Sequence, residues 1–322
     1  MNYIILDLEW NQCPDGKEKE NKDLPFEIIE IGAVKLDSDR HYLDSFERMV
    51  APKVYRSLHH ITKDIVHTSM KELMKGADFM DAAKDFFAWC GEDYIFCTWG
   101  SMDLVELQRN CRFYNVEYNF PMPFIFYDLQ KSYSLCYDDG KSRVSLETAI
   151  TEMNIEKDLT FHSAMSDARY TAKVFELMDF DKVKDFTSLD LYDIPATRKE
   201  EITMCYPTYS KFVSMGYEDR EALLQQSYLL CTKCYLCNKT AKKKIKWFSS
   251  NQRTYYCVAK CDAHGLLKGR MKIKKTDDGK YYAIKILKLT DESGIAPIRD
   301  KQLLARAKRR ERRHREREKL HD

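Results

Sequence analysis

The opening run NYIILDLEW ends in two carboxylates, Asp7 and Glu9. Alternate residues of a strand share a face, so these acids would stand roughly 7 Å apart on one side. Carboxylates held that close repel each other unless a cation neutralises them. Hard oxygen donors at this spacing suit Mg²⁺ or Mn²⁺. Taken alone, Asp-x-Glu reads better as an exposed strand end with two solvated acids.

Two further pieces change that balance. Asp103 follows the strand-like YIFCTW through Gly100 and Ser101, which places it at the start of a helix; alone it reads as an N-terminal helix acid. In HSAMSD, His162 precedes Asp167 by five positions, with Ser163 as an N-cap. His162 then belongs to a loop and Asp167 to the first helical turn, an arrangement suited to a mobile base beside a fixed metal ligand.

A second group is rich in sulfur. CTKCYLC spans 231–237 and CVAKCDAHG spans 257–265, which is more soft ligands than tetrahedral zinc needs. A metal knuckle closes on a residue that tolerates positive φ, and Asn238 and Gly265 meet that need. The preferred set is therefore Cys234, Cys237, Cys261 and His264, with Cys257 as an alternative to His264 and Cys231 as a bystander. Zinc here would be structural.

The acids need a scaffold. Tyr3–Leu8, Ile28–Leu36 and Tyr42–Val50 read as strands of a meander. Helical periodicity then runs through Asp64–Leu73 and Asp78–Cys90, and strands near 94–99 and 124–127 alternate with helices at 103–113, 129–135, 145–153 and 164–178. Three strands followed by alternating helices and strands indicate an α/β domain with a mixed sheet. Leu8 and Trp10 face away from the acids, which makes Trp10 a core residue. Glu30 reads as a structural hydrogen-bonder and Asp128 as a helix cap.

In this order, Asp-x-Glu, a later Asp and His-x4-Asp resemble the DnaQ-like exonucleases of the DEDDh class, and FEIIEIGAVKLD resembles their second strand. The resemblance covers about residues 1–178. DLEW and HHITKDIV are most similar to the branch that contains the KapD and enhanced-RNAi exonucleases. It implies a ribonuclease H-like mixed sheet flanked by helices. It also implies 3′→5′ hydrolysis of nucleic acid with two Mg²⁺ or Mn²⁺ ions held by Asp7, Glu9, Asp103 and Asp167, and His162 as base. His59 and His60 lie in a stretch that resembles the segment near the nucleotide. Asn11 stands where many of these proteins carry Thr, two positions after the Glu.

The chain has 322 residues, of which 44% are hydrophobic, so it can bury a full core and a smaller second unit. No apolar run is long enough to span a bilayer, and acids interrupt the N-terminal run, which does not read as a signal peptide. Eleven cysteines without a secretion signal point to reduced thiols and a cytoplasmic location. From Cys231 onward 27 Lys and Arg face 10 Asp and Glu, whereas residues 1–230 carry 26 against 41. A basic end joined to an acidic body suits a polyanion held by one part and acted on by the other.

The expected organisation is an exonuclease domain over 1–180, a linker with a helical segment over 181–230, a basic zinc-ribbon-like β domain over 231–290, and a charged basic tail over 291–322. Residues 238–275 hold twelve Lys and Arg against one acid, with Trp247, Phe248, Tyr255 and Tyr256 interleaved. Such a surface would contact phosphates and stack bases, unless the aromatics form the small core. The expected partner is single-stranded nucleic acid, RNA favoured by the branch resemblance, with no membrane and no small-molecule cofactor. The competing readings are a nucleic-acid-binding regulator with an inactive nuclease domain and a DNA-proofreading exonuclease.

Overall fold

The computed structural model describes residues 1–66 and 68–318, which divide into two units, one ending at Tyr192 and the other beginning at Asp193. The first opens with an antiparallel meander of β1 (Asn2–Gln12), β2 (Phe26–Leu36) and β3 (Tyr42–Met49). Helices α1 (His60–Ile65), α2 (Met70–Leu73) and α3 (Phe79–Cys90) lead to β4 (Tyr94–Thr98), which lies parallel to β1. Then come α4 (Met102–Phe113), β5 (Ile125–Asp128), α5 (Leu129–Tyr137), α6 (Leu146–Glu152), α7 (Ala164–Leu177) and the short β6 (Ser188–Leu189). The strand order is β3-β2-β1-β4-β5-β6, a ribonuclease H-like mixed sheet.

Both faces of β1 are covered, which explains its nearly continuous apolar sequence. Ile4, Leu6 and Leu8 join Phe86, Leu104 and Leu107 on one face. Tyr3 and Ile5 pack with Met165, Ala168 and Phe175 of α7 on the other. Asp7 and Glu9 continue that second row, and Trp10 packs with the first cluster. Asp128 caps α5, accepting from the Lys131 N–H at 2.9 Å.

In the second unit β7 (Ile202–Cys205) and β8 (Tyr209–Val213) precede α8 (Arg220–Leu224). Strands β9 (Lys242–Ser249), β10 (Thr254–Cys261), β11 (Gly265–Lys275) and β12 (Tyr281–Thr290) follow, then α9 (Glu292–Glu318). They form one six-stranded sheet in the order β7-β8-β12-β11-β10-β9.

The expected linker over 181–230 is thereby corrected. Val183 is fully buried and β6 pairs with β5, so the stretch up to Tyr192 belongs to the first unit. The β7–β8 hairpin adds to β12 through β8 and extends the second sheet. Its strands are only four and five residues long, too short for a clear periodic signal, and their partner lies far downstream. The tail also begins inside the fold: Ile295 and Ile298 of α9 are buried with Phe248 and Val258. The last four residues of the tail, 319–322, lie outside the described residues.

Candidate active site and metal centre

Strand β1 delivers Asp7 and Glu9 to the face covered by the first turn of α7, which brings Asp167. Carboxylate oxygens of all three lie within 4.8 Å of one another. Asp103, in the first turn of α4, stands behind this group, where its Oδ1 accepts from the Leu8 N–H at 3.2 Å. His162 is exposed in the loop before α7, and its backbone N–H donates to Asp167 Oδ2 at 3.3 Å. Its φ of 65° is a left-handed conformation, costly for a side chain with a Cβ and kept at sites where the surroundings enforce it.

The acids strain against each other electrostatically. Burial pushes the Asp7 carboxyl well above its usual range, and Asp103, Asp167, Glu9 and Glu30 add to the rise. Burial, then the charges of Asp167, Glu30 and Asp103, lift Glu9 to about 8. Burial raises Asp103 to about 7, against the pull of backbone donors that include Leu8. Asp167 is raised by burial, with the His162 N–H opposing. Its Oδ1 is buried without a hydrogen-bond partner. Converging acids that stay desolvated, with one oxygen unsatisfied, could hold a hard divalent cation.

Two residues of β2 hold this arrangement: Glu30, the structural hydrogen-bonder the sequence suggested, and Gly32, which it did not single out. Glu30 of β2, directly across from Glu9, is 7% exposed. Its Oε1 accepts from the Ser163 hydroxyl at 3.0 Å; burial raises this carboxyl above its usual range, with the Ser163 hydroxyl and the Ala164 and Met165 backbone N–H groups opposing the rise. Ser163 therefore does not cap α7 with its own oxygen; a carboxylate from the neighbouring strand meets the helix start instead. Gly32, opposite Asp7, lets α7 touch the strand, since a Cβ there would sit 2.2 Å from the Ala164 carbonyl carbon. The visible signal was Glu and Gly two positions apart in IIEIG.

Asn11 is wholly buried and organises the loop that carries the histidine pair. Its amide donates to the Tyr55 and Ser57 carbonyls at 3.1 and 2.9 Å, and its Oδ1 accepts from the His59 N–H at 3.0 Å. His59 and His60 lie ring to ring, with centroids 4.1 Å apart.

In the second unit Cys234, Cys237, Cys261 and His264 come together, their ligand atoms within 4.8 Å of one another. Cys237 and Cys261 sulfurs are 3.6 Å apart, and His264 Nδ1 lies 3.6 Å from Cys234 and 3.7 Å from Cys261. Zinc–sulfur and zinc–nitrogen bonds on a tetrahedron give ligand edges of roughly 3.5–3.8 Å, so the donor set fits that ion. Asn238 and Gly265 close the two knuckles at φ of 55° and 86°. The hydrogen bond from His264 holds the Cys261 thiol down at about 6, favouring the thiolate a metal requires.

Cys257, expected as an alternative fourth ligand, lies outside this group. It is buried in β10, with its sulfur 3.7 Å from the Thr232 hydroxyl and close against Gly269. Strand alternation accounts for this: Cys257 and Cys261 share a face, but four residues separate them by roughly 13 Å. Of the aromatics expected to stack on bases, Phe248 is buried near α9, Trp247 packs on Gly269 and Tyr255 bonds Arg220. They serve the sheet and its coverings.

The family described as Exonuclease (RNase_T) matches residues 4–175. The Bacillus subtilis (strain 168) protein named "Probable 3'-5' exonuclease KapD" is 31% identical over 182 residues, covering 56% of this chain and 86% of its own. Among solved structures, the nuclease domain of 3'hExo, a DEDDh family member bound to rAMP, aligns at 19% identity with a TM-score of 0.47. That alignment covers 59% of this chain and 96% of the other. The cell-death related nuclease 4 aligns at 17% identity and TM-score 0.46, covering 62% and 73%.

Proposed function

This chain belongs to the exonuclease (RNase_T) family and is a 3′→5′ nuclease of nucleic acid, and from that premise we propose that its substrate is single-stranded RNA. Asp7, Glu9, Asp103, Asp167 and His162 carry the hydrolysis in this proposal. The observation that supports these roles is the desolvated cluster of Asp7, Glu9 and Asp167 with its unsatisfied Asp167 oxygen. Two Mg²⁺ or Mn²⁺ ions held by the four acids would offset phosphate charge and acidify an attacking water.

The protein's own groups do the rest. His162, exposed and tethered through its backbone to Asp167, takes the proton of the attacking water. Glu30 and Gly32 hold the start of α7 against the strand so that Asp167 meets Asp7. RNA is favoured by the resemblance of DLEW and HHITKDIV to the KapD and enhanced-RNAi branch. One structural Zn²⁺ in the Cys234, Cys237, Cys261 and His264 group belongs to the same proposal, supported by the tetrahedral edge lengths. So does a cytoplasmic location, supported by eleven free thiols. Among the described residues no helix is long and apolar enough to cross a membrane.

The deciding experiment incubates the purified chain with labelled single-stranded RNA and DNA, with Mg²⁺ or Mn²⁺, beside an Asp7→Ala variant. Metal-dependent shortening of RNA in preference to DNA, lost in the variant, is the expected result. Faster shortening of DNA would overturn the substrate assignment. Shortening of neither strand would favour a binding protein with an idle nuclease domain.

A further inference from the structure

The second unit contains a cavity of about 990 Å³ beside the β9–β10 loop and the end of β11. Arg220, Arg253, Lys272, Lys274 and Lys275 line it, and among the described residues no carboxylate does. Like charges gathered around one space repel, and an anion entering that space relieves the repulsion.

The local sequence builds this wall. Along β11, Met271 and Ile273 are buried while Lys272 and Lys274 are exposed, so strand alternation sets two amines roughly 7 Å apart in a row. The facing loop is tied in place. Asn251 Oδ1 accepts from the Arg253 and Thr254 N–H groups at 2.9 and 2.8 Å. The Arg253 carbonyl accepts from the Ile273 N–H at 2.8 Å. Arg220 donates through Nη2 to the Tyr255 hydroxyl at 2.7 Å, while its Nε is buried with no hydrogen-bond partner. A planar guanidinium held by a tyrosine and short of one acceptor is suited to a phosphate oxygen. Lys275 lies 5.5 Å from the Tyr281 ring at the rim.

We propose that this cavity grips the phosphodiester backbone of single-stranded nucleic acid, irrespective of base sequence. The choice of polyanion rests on the nuclease reading; the anion-binding character rests on the cavity alone. A row of amines at strand spacing follows successive phosphates of an extended strand better than one compact anion. The aromatics nearby are engaged in packing, so backbone contact and salt dependence dominate over base stacking.

The test compares the Lys272→Glu/Lys274→Glu double variant with a control of equal charge change on exposed α9 positions, Lys308→Glu/Arg309→Glu. Both are made in an Asp7→Asn background so that the strand persists. Binding of labelled single-stranded RNA and DNA oligonucleotides is followed by anisotropy across a salt series, with zinc content and circular dichroism as fold checks. The double variant should bind about tenfold more weakly and flatten the log–log salt slope by about 1.4, the share of two phosphate contacts. The control should change both quantities less. Unchanged affinity and slope, or an equal loss in the control, would overturn the proposal. Loss of binding to anionic vesicles with oligonucleotide binding intact would overturn it too. A lysine-dependent affinity in a chain whose wild type shortens neither strand would support the cavity and overturn the exonuclease reading.

Discussion

The Ser163 hydroxyl donates to Glu30 Oε1 across 3.0 Å, joining residues 133 positions apart. The bond ties β2 to the helix start that positions Asp167. Glu30→Ala removes the acceptor and leaves Ser163 and the first N–H groups of α7 poorly satisfied. Metal affinity, read from the Mn²⁺ dependence of activity, should weaken by roughly 10–100-fold, as for groups that orient a ligand. Glu30→Gln, which keeps an acceptor oxygen, should recover part of the loss. Equal metal dependence in all three proteins would remove Glu30 from this role.

His162 touches the site through its backbone and presents its ring from a strained loop. His162→Asn tests the ring alone, because Asn tolerates positive φ. The turnover rate should fall by about 10²–10⁴ with Mn²⁺ affinity retained. A variant that loses metal affinity in proportion to its rate would assign His162 to structure.

The chemistry was more legible in the sequence than its support. Asp7, Glu9, Asp103, His162 and Asp167 announce themselves by residue type and order, and Cys234, Cys237, Cys261 and His264 by knuckle residues that tolerate positive φ. Glu30 was legible as a structural hydrogen-bonder but its partners were not, because they lie on a helix more than a hundred positions later, beyond the reach of local patterns. The β7–β8 hairpin was hidden for a related reason. It joins the sheet by pairing with β12, some seventy positions downstream, and its own strands are too short to show a period. Cys257 shows the opposite error, a metal-ligand residue type used for packing beside Gly269.

The zinc reading makes a stoichiometric statement. Metal analysis should give about one zinc per chain, and Cys237→Ala should abolish it. Protons compete with zinc for the three thiolates and His264, so zinc content should fall as the solution is acidified. Zinc retained at full stoichiometry in Cys237→Ala would contradict the assigned ligand set.

The raised carboxylates make stability depend on pH and on divalent cation together. In the folded chain Glu9 and Asp103 hold protons up to about 8 and 7, whereas unfolded carboxylates release theirs near pH 4. Between those limits the native state binds more protons than the unfolded state, so stability falls as pH rises through the window. A divalent cation binds the ionised native acids and opposes that fall, most strongly at the upper end of the window, where the acids are ionised and would otherwise repel. The increase in Tm on adding Mg²⁺ or Mn²⁺ should therefore grow from pH 5 to pH 8, and Asp7→Asn should shrink it. A metal-induced shift that stays constant across this range, or survives intact in Asp7→Asn, would show that the acids do not bind the cation as a unit.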